Sequence, residues 1–331
     1  MIQTPMKIED IYNITGGSAV NTPQITAVNF CSVFPSKIRE GDLFFAARKE
    51  DIDSAVANGA YAVVYEGDDP SMTDRDIAWI KTDSVKEAAF RYLRYALLGK
   101  EADFYLLTPH ETSFLKMVLT HKKNIVFLPG DWAKAFESVL NSKEHLFVGE
   151  DKEMLRTITP EWKCLDEAQD WYMISDTIFR STFKTEGYVY QSMEIAPFHL
   201  EDLMKAVRLC TRYDMPYSFD RLRYTRHFVP VFVDGQLRAV PKGSSSKVVV
   251  FVDNTDDIVK AREYIRHQNA WVKSIVLTPP KTKIEGLDRP YWFETHDEAL
   301  KILRQTHFNY AFVLSLEKNM LKNIREEYTL F

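Results

Sequence analysis

"LLTPHETSFLKMV", Leu106 to Val118, is the stretch on which the fold reading turns. A hydrophobic strand, Phe104 to Leu107, runs into a short turn and then into a helix with apolar periodicity. In an α/β protein that junction is where a glycine-rich loop holds a phosphate. This turn contains neither glycine nor lysine. Thr108-Pro109-His110-Glu111 instead reads as a T-x-x-E capping box with proline at the first helical position. In such a box Thr108 accepts from the third helical amide and Glu111 reaches back to the amide of Thr108. The carboxylate also suits the positive end of the helix dipole. A helix that begins this way satisfies its own donors and leaves few for a ligand.

Working outward, strand and helix alternate on both sides. Before the quoted stretch, Gly41–Ala47 and Tyr61–Glu66 read as buried strands around a helix, Glu50–Ala60, that ends on Asn58-Gly59. Ile77–Thr82 is a further strand, and Ser84 caps a long amphipathic helix that ends at Gly99. After it, "NIVFLPGDWAKAFESVL" and "HLFVGEDKEMLRTI" each read as strand then helix. The run from Glu167 to Phe198 reads as irregular structure with a β-ribbon, "HLEDLMKAVRLCTRYDM" as a helix, and "SFDRLRY" as the start of another. Ser246–Asn254 is a fully buried strand. From Thr255 the order is helix, strand, helix, strand and a closing helix, "EKNMLKNIREEY". Short apolar strands alternating with helices predict parallel α/β sheets.

Composition bounds the function. The chain has 331 residues, enough for two or three domains. Hydrophobic residues make up 45% and charged residues 27%, as in ordinary globular proteins. A net charge of −5 and the lack of a basic stripe argue against nucleic acid as a partner. No apolar run approaches the ~20 residues that span a bilayer, and the first residues lack the apolar core of a signal peptide. Cys31, Cys164 and Cys210 are odd in number and widely spaced. That suits a reducing cytoplasm and offers no metal-ligand spacing. The 12 glycines are roughly half the usual ~7% share, which is low for a protein with several phosphate-cradling loops.

In this order the segments resemble the Mur ligases, ATP-dependent enzymes that add amino acids to UDP-N-acetylmuramoyl precursors of peptidoglycan, and most of all the branch that adds D-alanyl-D-alanine. "PSKIREGDLFFAA" and "AVANGAYAVVYE" resemble strands of that family's UDP-sugar domain. "LLTPHETSFLKMVL" falls where the family has "GITGSNGKTTTKEML". "LFVGEDKEMLRTITP" resembles its Mg²⁺-carboxylate strand and helix, "PFHLEDLMKAVRLCTRYDM" its "GxHN" helix, and "VVVFVDNTDDIVKAREYI" its "DxYNxNP" strand and helix. The resemblance implies three consecutive α/β domains: 1–100 similar to the UDP-sugar-binding domain, 101–254 a truncated and degenerate P-loop ATPase-like domain, and 255–331 a small Rossmann-like domain.

The resemblance also implies where a site would lie. Thr112 and Ser113 stand where the family's hydroxyls bind Mg²⁺ and phosphate, and Glu150 stands at the position of a Mg²⁺ carboxylate. His199 matches the histidine of "GxHN", and Asn254 part of the adenine region. Each has a simpler reading. Glu150 is a solvated or capping acid, His199 the first residue of a helix, and Asp253-Asn254 the cap of the helix that follows.

The departures are many. Leu107 and His110 replace loop glycines, Glu111 replaces the lysine, and Leu200 replaces the asparagine of "GxHN". Phe34-Pro35-Ser36 replaces Asp-Ser-Arg in the UDP-sugar loop, and the short interval Pro160–Tyr188 lacks the segment with the catalytic histidine and carbamylated lysine.

The expected protein is therefore a non-catalytic Mur ligase homologue, a cytoplasmic binding or scaffold protein with cell-wall synthesis proteins as partners and no cofactor. Two alternatives stay open. One is a divergent ATP- and Mg²⁺-dependent ligase rebuilt around Glu150 and His199. The other is a small-molecule binder that uses an interdomain cleft. Trp162, Trp171, Tyr172, Phe179 and Phe183 read as core filling or as a partner surface, and "RLRYTRHF" (Arg221–Phe228) as a helix end with solvated charges or an anion patch.

Overall fold

The computed structural model describes residues 5–72, 74–167, 170–268, 272–287 and 289–321. Its helices are α1 (Ile8–Thr15), α2 (Ile52–Ala57), α3 (Val85–Leu97), α4 (Pro109–Val118), α5 (Trp132–Leu140), α6 (Lys152–Ile158), α7 (Leu200–Arg212), α8 (Thr255–Gln268) and α9 (His296–Gln305). The chain divides into two compact units. One comprises Met1–Thr108 with Lys122–Leu165, and the other Pro109–His121 with Asp166–Phe331.

Among its described residues the first unit holds two larger sheets besides the short antiparallel pair Met6–Lys7 with Ala27–Val28. In one, Ser18–Ala19, Ala78–Lys81, Ala60–Tyr65, Asp42–Phe45 and Cys31–Ser32 lie side by side, parallel except for the first. In the other, Lys163–Cys164, Asp103–Leu106, Leu146–Gly149 and Ile125–Phe127 are all parallel. Leu43, Phe44 and Phe45 are each fully buried, so this strand is covered on both faces, as parallel strands require. Phe45 packs edge-on against Tyr92 of α3 and Phe136 of α5, with ring centroids 5.6 and 5.7 Å away. Ser84 caps α3 by accepting from the Glu87 amide at 3.3 Å. The Asn58-Gly59 end of α2 is also as expected. Gly59 has φ +98°, and a Cβ there would lie 2.8 Å from the Glu40 Cα.

A buried carboxylate fixes the segment Ser32–Lys37. Glu137 of α5, only 4% exposed, accepts from the Ser32 hydroxyl, from the Val33 amide at 3.0 Å, from Lys37 Nζ at 2.9 Å and from Asn141 Nδ2 at 2.8 Å. Four donors, one of them a cation, offset the cost of taking its charge out of water.

The second unit is built on a five-stranded sheet in the order Phe228–Phe232, Val248–Val252, Tyr310–Leu314, Ser274–Thr278 and Tyr291–Trp292. The first strand is antiparallel to its neighbour and the rest are parallel. Val248–Val252 is buried throughout. Val248, Val250 and Val252 face Ile258, Ala261 and Ile265 of α8, while Val249 and Phe251 face the side that holds Ala299 and Leu303 of α9. Each of the valines, isoleucines, leucines and phenylalanines contributes roughly 1.5–3 kcal/mol by leaving water. Residues after α4 meet residues after α7: Thr120 N donates to Pro216 O at 3.2 Å and Ser218 N to Val118 O at 2.9 Å.

Three local expectations change. Trp171–Thr177, Arg180–Thr185 and Tyr188–Met193 form a full three-stranded antiparallel sheet rather than a ribbon within irregular chain. "SFDRLRY" does not start a helix. It forms turns and irregular chain that lead into the strand Phe228–Phe232, whose apolar run was not read as one. The closing helix falls on residues of which 322–331 lie outside those described; Lys318–Met320 is a single 3₁₀ turn. Among the described residues no helix is long and apolar enough to cross a membrane.

Candidate functional site

Asp257 organises a buried polar cluster within the second unit. Asn254 precedes α8 and accepts the Asp257 amide on its side-chain oxygen at 2.9 Å, which caps the helix. The Asn254 side-chain amide in turn donates to Asp257 Oδ2 at 2.9 Å. An acid in the first turn also matches the helix dipole. This local arrangement aims the Asp257 carboxylate away from solvent, leaving it 2% exposed.

Two histidines from distant parts of the chain converge on it. His110, the second residue of α4, places Nε2 2.7 Å from Asp257 Oδ2. His199, just ahead of α7, places Nε2 2.8 Å from Asp257 Oδ1. The two imidazoles stack with centroids 4.0 Å apart and planes 28° apart. On its other edge His110 Nδ1 lies 2.9 Å from Thr225 Oγ1. His227 stands edge-on to His110 at 5.5 Å and bonds through Nδ1 to Asp253. Phe198 and Phe228 wall the His199 ring at 4.6 and 5.1 Å.

The protons around the carboxylate can be assigned from these residues. Asp257 accepts from both Nε2–H groups and from Asn254. With Nε2 of His110 protonated, its Nδ1 is free to accept the Thr225 hydroxyl proton. Burial pushes the His199 pKa down to about 4 against the pull of its bond to Asp257, and His110 lowers it further. Burial raises the Asp257 carboxyl, but bonds from His110 and His199 outweigh it and hold the group well below the usual carboxylate range. Asp202, on the first turn of α7, goes the other way. Burial pushes it up to about 6 against Lys260 and His110, and Glu111 adds to the rise.

The residues singled out from sequence fare differently. His199 and Asn254 belong to this cluster. Thr112 is buried on α4 with 4% exposure, and its hydroxyl has no hydrogen-bond partner among the described residues. Ser113, the next residue, is half-buried. Glu150 lies exposed after the strand Leu146–Gly149, in the first unit. Sequence reading missed His110, Thr225, His227 and Asp257 as a group. They are separated by up to 147 residues, so no spacing connects them. The one local signal is Asn254-x-x-Asp257, a helix-start pattern that places an acid beside a cap.

Two units of parallel α/β sheet layered with helices, the second carrying an added antiparallel sheet, define a Mur ligase-like fold. The MurF ligase of Thermotoga maritima, solved in complex with ADP, superposes with TM-score 0.50 at 12% identity, covering 88% of this chain and 94% of that one. A MurF of Acinetobacter baumannii gives TM-score 0.49 at 12% identity over 95% and 96%. No family model matches the sequence, and no curated protein matches it.

Proposed function

We propose that this chain is a non-catalytic protein of Mur ligase fold that serves as a binding or scaffold module in peptidoglycan precursor synthesis. One observation supports the reading above others. The three stretches that the resemblance would place around ATP, those of His110, His199 and Asp253-Asn254, are bonded to one another through Asp257. Their polar atoms are spent on each other rather than presented to a nucleotide. Glu111, in the place of the family's lysine, is only 6% exposed. A unit charge pair at 4 Å is worth about 4 kcal/mol at an effective dielectric of about 20, and the exchange of lysine for glutamate reverses its sign toward a triphosphate. These residues do not suit ATP and Mg²⁺.

Calorimetry with Mg-ATP tests the proposal. The expected result is no saturable heat up to ~1 mM nucleotide, the weak end of useful affinity. Tighter binding that Thr112→Val abolishes would overturn it. Phosphate release with ATP, an amino-acid donor and a UDP-sugar acceptor would favour a divergent ligase instead, although His199, at 2% exposure, is poorly placed to touch a substrate. Cell-wall synthesis proteins are the proposed partners, and the cytoplasm the proposed compartment.

A further inference from the structure

We propose that His110, His199 and Asp257 form a binding site for one zinc-class divalent transition-metal ion. Their ligand atoms, one from each residue, all lie within 4.8 Å of one another and all three residues are buried. The inference concerns the same cluster as the reading above but does not require it.

The donor set suits such an ion. Two imidazole nitrogens and one carboxylate oxygen are ligands that zinc, cobalt and nickel favour over magnesium or calcium, which take oxygen. Three protein ligands leave a fourth position for water. A pure hydrogen-bond knot needs no imidazole, because amides and hydroxyls bridge a carboxylate equally well. Two aromatic bases held face to face at 4.0 Å around one carboxylate are a costly way to make such a knot and an ordinary way to make a ligand set.

The surroundings agree. Metal-bound histidines carry an oxygen partner on the second ring nitrogen, which fixes the ring's rotation. His110 has Thr225 Oγ1 there, at 2.9 Å. A ligating carboxylate is itself hydrogen-bonded, and Asp257 has the Asn254 side-chain amide at 2.9 Å. Metal–ligand bonds of about 2.0–2.2 Å in a tetrahedron put ligand atoms about 3.4 Å apart. The present gaps of 2.7 and 2.8 Å would open by about 0.6–0.7 Å.

Protons balance without release. On binding, each imidazole moves its proton from Nε2 to Nδ1 and gives the Nε2 lone pair to the ion. His110 Nδ1–H then donates to Thr225, whose hydroxyl turns to accept. Asp257 stays a carboxylate throughout, so the ion changes the cluster's net charge by its own two units.

Cobalt(II) is the probe. The full chain, freed of metal by chelator, is titrated with Co²⁺ and followed by visible absorption and calorimetry. The expected result is one equivalent bound with the intense ligand-field bands of a four-coordinate site, displaced by Zn²⁺. His199→Gln keeps a donor to Asp257 but no strong ligand. It is expected to lose the bands and to weaken binding by more than the ~10–100-fold that outer partners are worth. Thr225→Val keeps all three ligands and is expected to retain the bands with affinity about tenfold weaker. No band in the folded parent, or a band that survives both His199→Gln and Asp257→Asn, would overturn the proposal. Should His199→Gln fail to fold, the parent spectrum and Thr225→Val decide between the outcomes. A silent cobalt titration leaves the nucleotide reading untouched, and ATP heat would sink that reading whatever cobalt does.

Discussion

Asp202 and Asp257 carry the same side chain on first helical turns, yet their environments push them in opposite directions. Asp257 is held ionised by two imidazoles, whereas Asp202 is pushed from 3.8 up to about 6 by burial. The second shift has a sign that can be checked. Between these two values the folded chain retains a proton that the unfolded chain has released, so stability falls as pH rises from 3.8 through about 6. Asp202→Asn removes that loss. The variant is expected to be more stable than the parent at pH 7 by on the order of 1–2 kcal/mol, discounted for partial exposure, and to lose the advantage at pH 4. Urea denaturation in the presence of chelator at the two pH values measures it. At this scale the sequence exposed only part of the cluster. Asn254 is readable as a cap because capping is local. Asp257 is not, because its role depends on rings 147 and 58 residues away.

At the scale of elements, burial decided what could be read. Val248–Val252 announces itself as a strand because every side chain is apolar and every one is buried. "RLRYTRHF" misleads for the converse reason. Thr225 and His227 look like surface residues, but they are 1% and 5% exposed; the segment is not a helix end, although its charged residues Arg221, Arg223 and Arg226 are solvated. Polar residues committed to partners elsewhere in the chain carry no local mark of it. The same holds for Glu137, which reads as an ordinary helix acid but ties α5 to the segment Ser32–Lys37. Glu137→Ala is expected to cost about 3 kcal/mol or more, because it strands several buried donors. Lys37→Met is expected to cost within about 1 kcal/mol, since Lys37 is 54% exposed and loses a screened pair. Chemical denaturation of both variants separates a buried anchor from a surface ion pair.

For the whole molecule, the α/β class was legible and the path of the chain through its units was not. Periodicity reports which residues are covered, not which unit covers them. α4 follows a strand of the first unit, and its apolar face gives no sign that it belongs with residues beyond Asp166. There Phe114, Leu115 and Val118 are each at most 1% exposed. Each contributes roughly 1.5–3 kcal/mol. Together they rival the 5–15 kcal/mol that holds a typical domain. A fragment comprising residues 166–331 alone is therefore expected to lack a cooperative urea transition and near-ultraviolet dichroism. A synthetic peptide of residues 109–121, added in trans, is expected to restore both. A fragment that melts cooperatively without the peptide would contradict the assignment of α4 to this unit.

The weaving of α4 into the second unit also bears on biosynthesis. His110 leaves the ribosome 147 residues before Asp257. At ~5–20 residues per second, α4 waits about 7–30 s for the last of these partners, its greasy side meanwhile uncovered in part. Over that interval the nascent chain exposes a sticky segment, which makes it a natural client for holdase chaperones, and slow-translating codons downstream would lengthen its exposure.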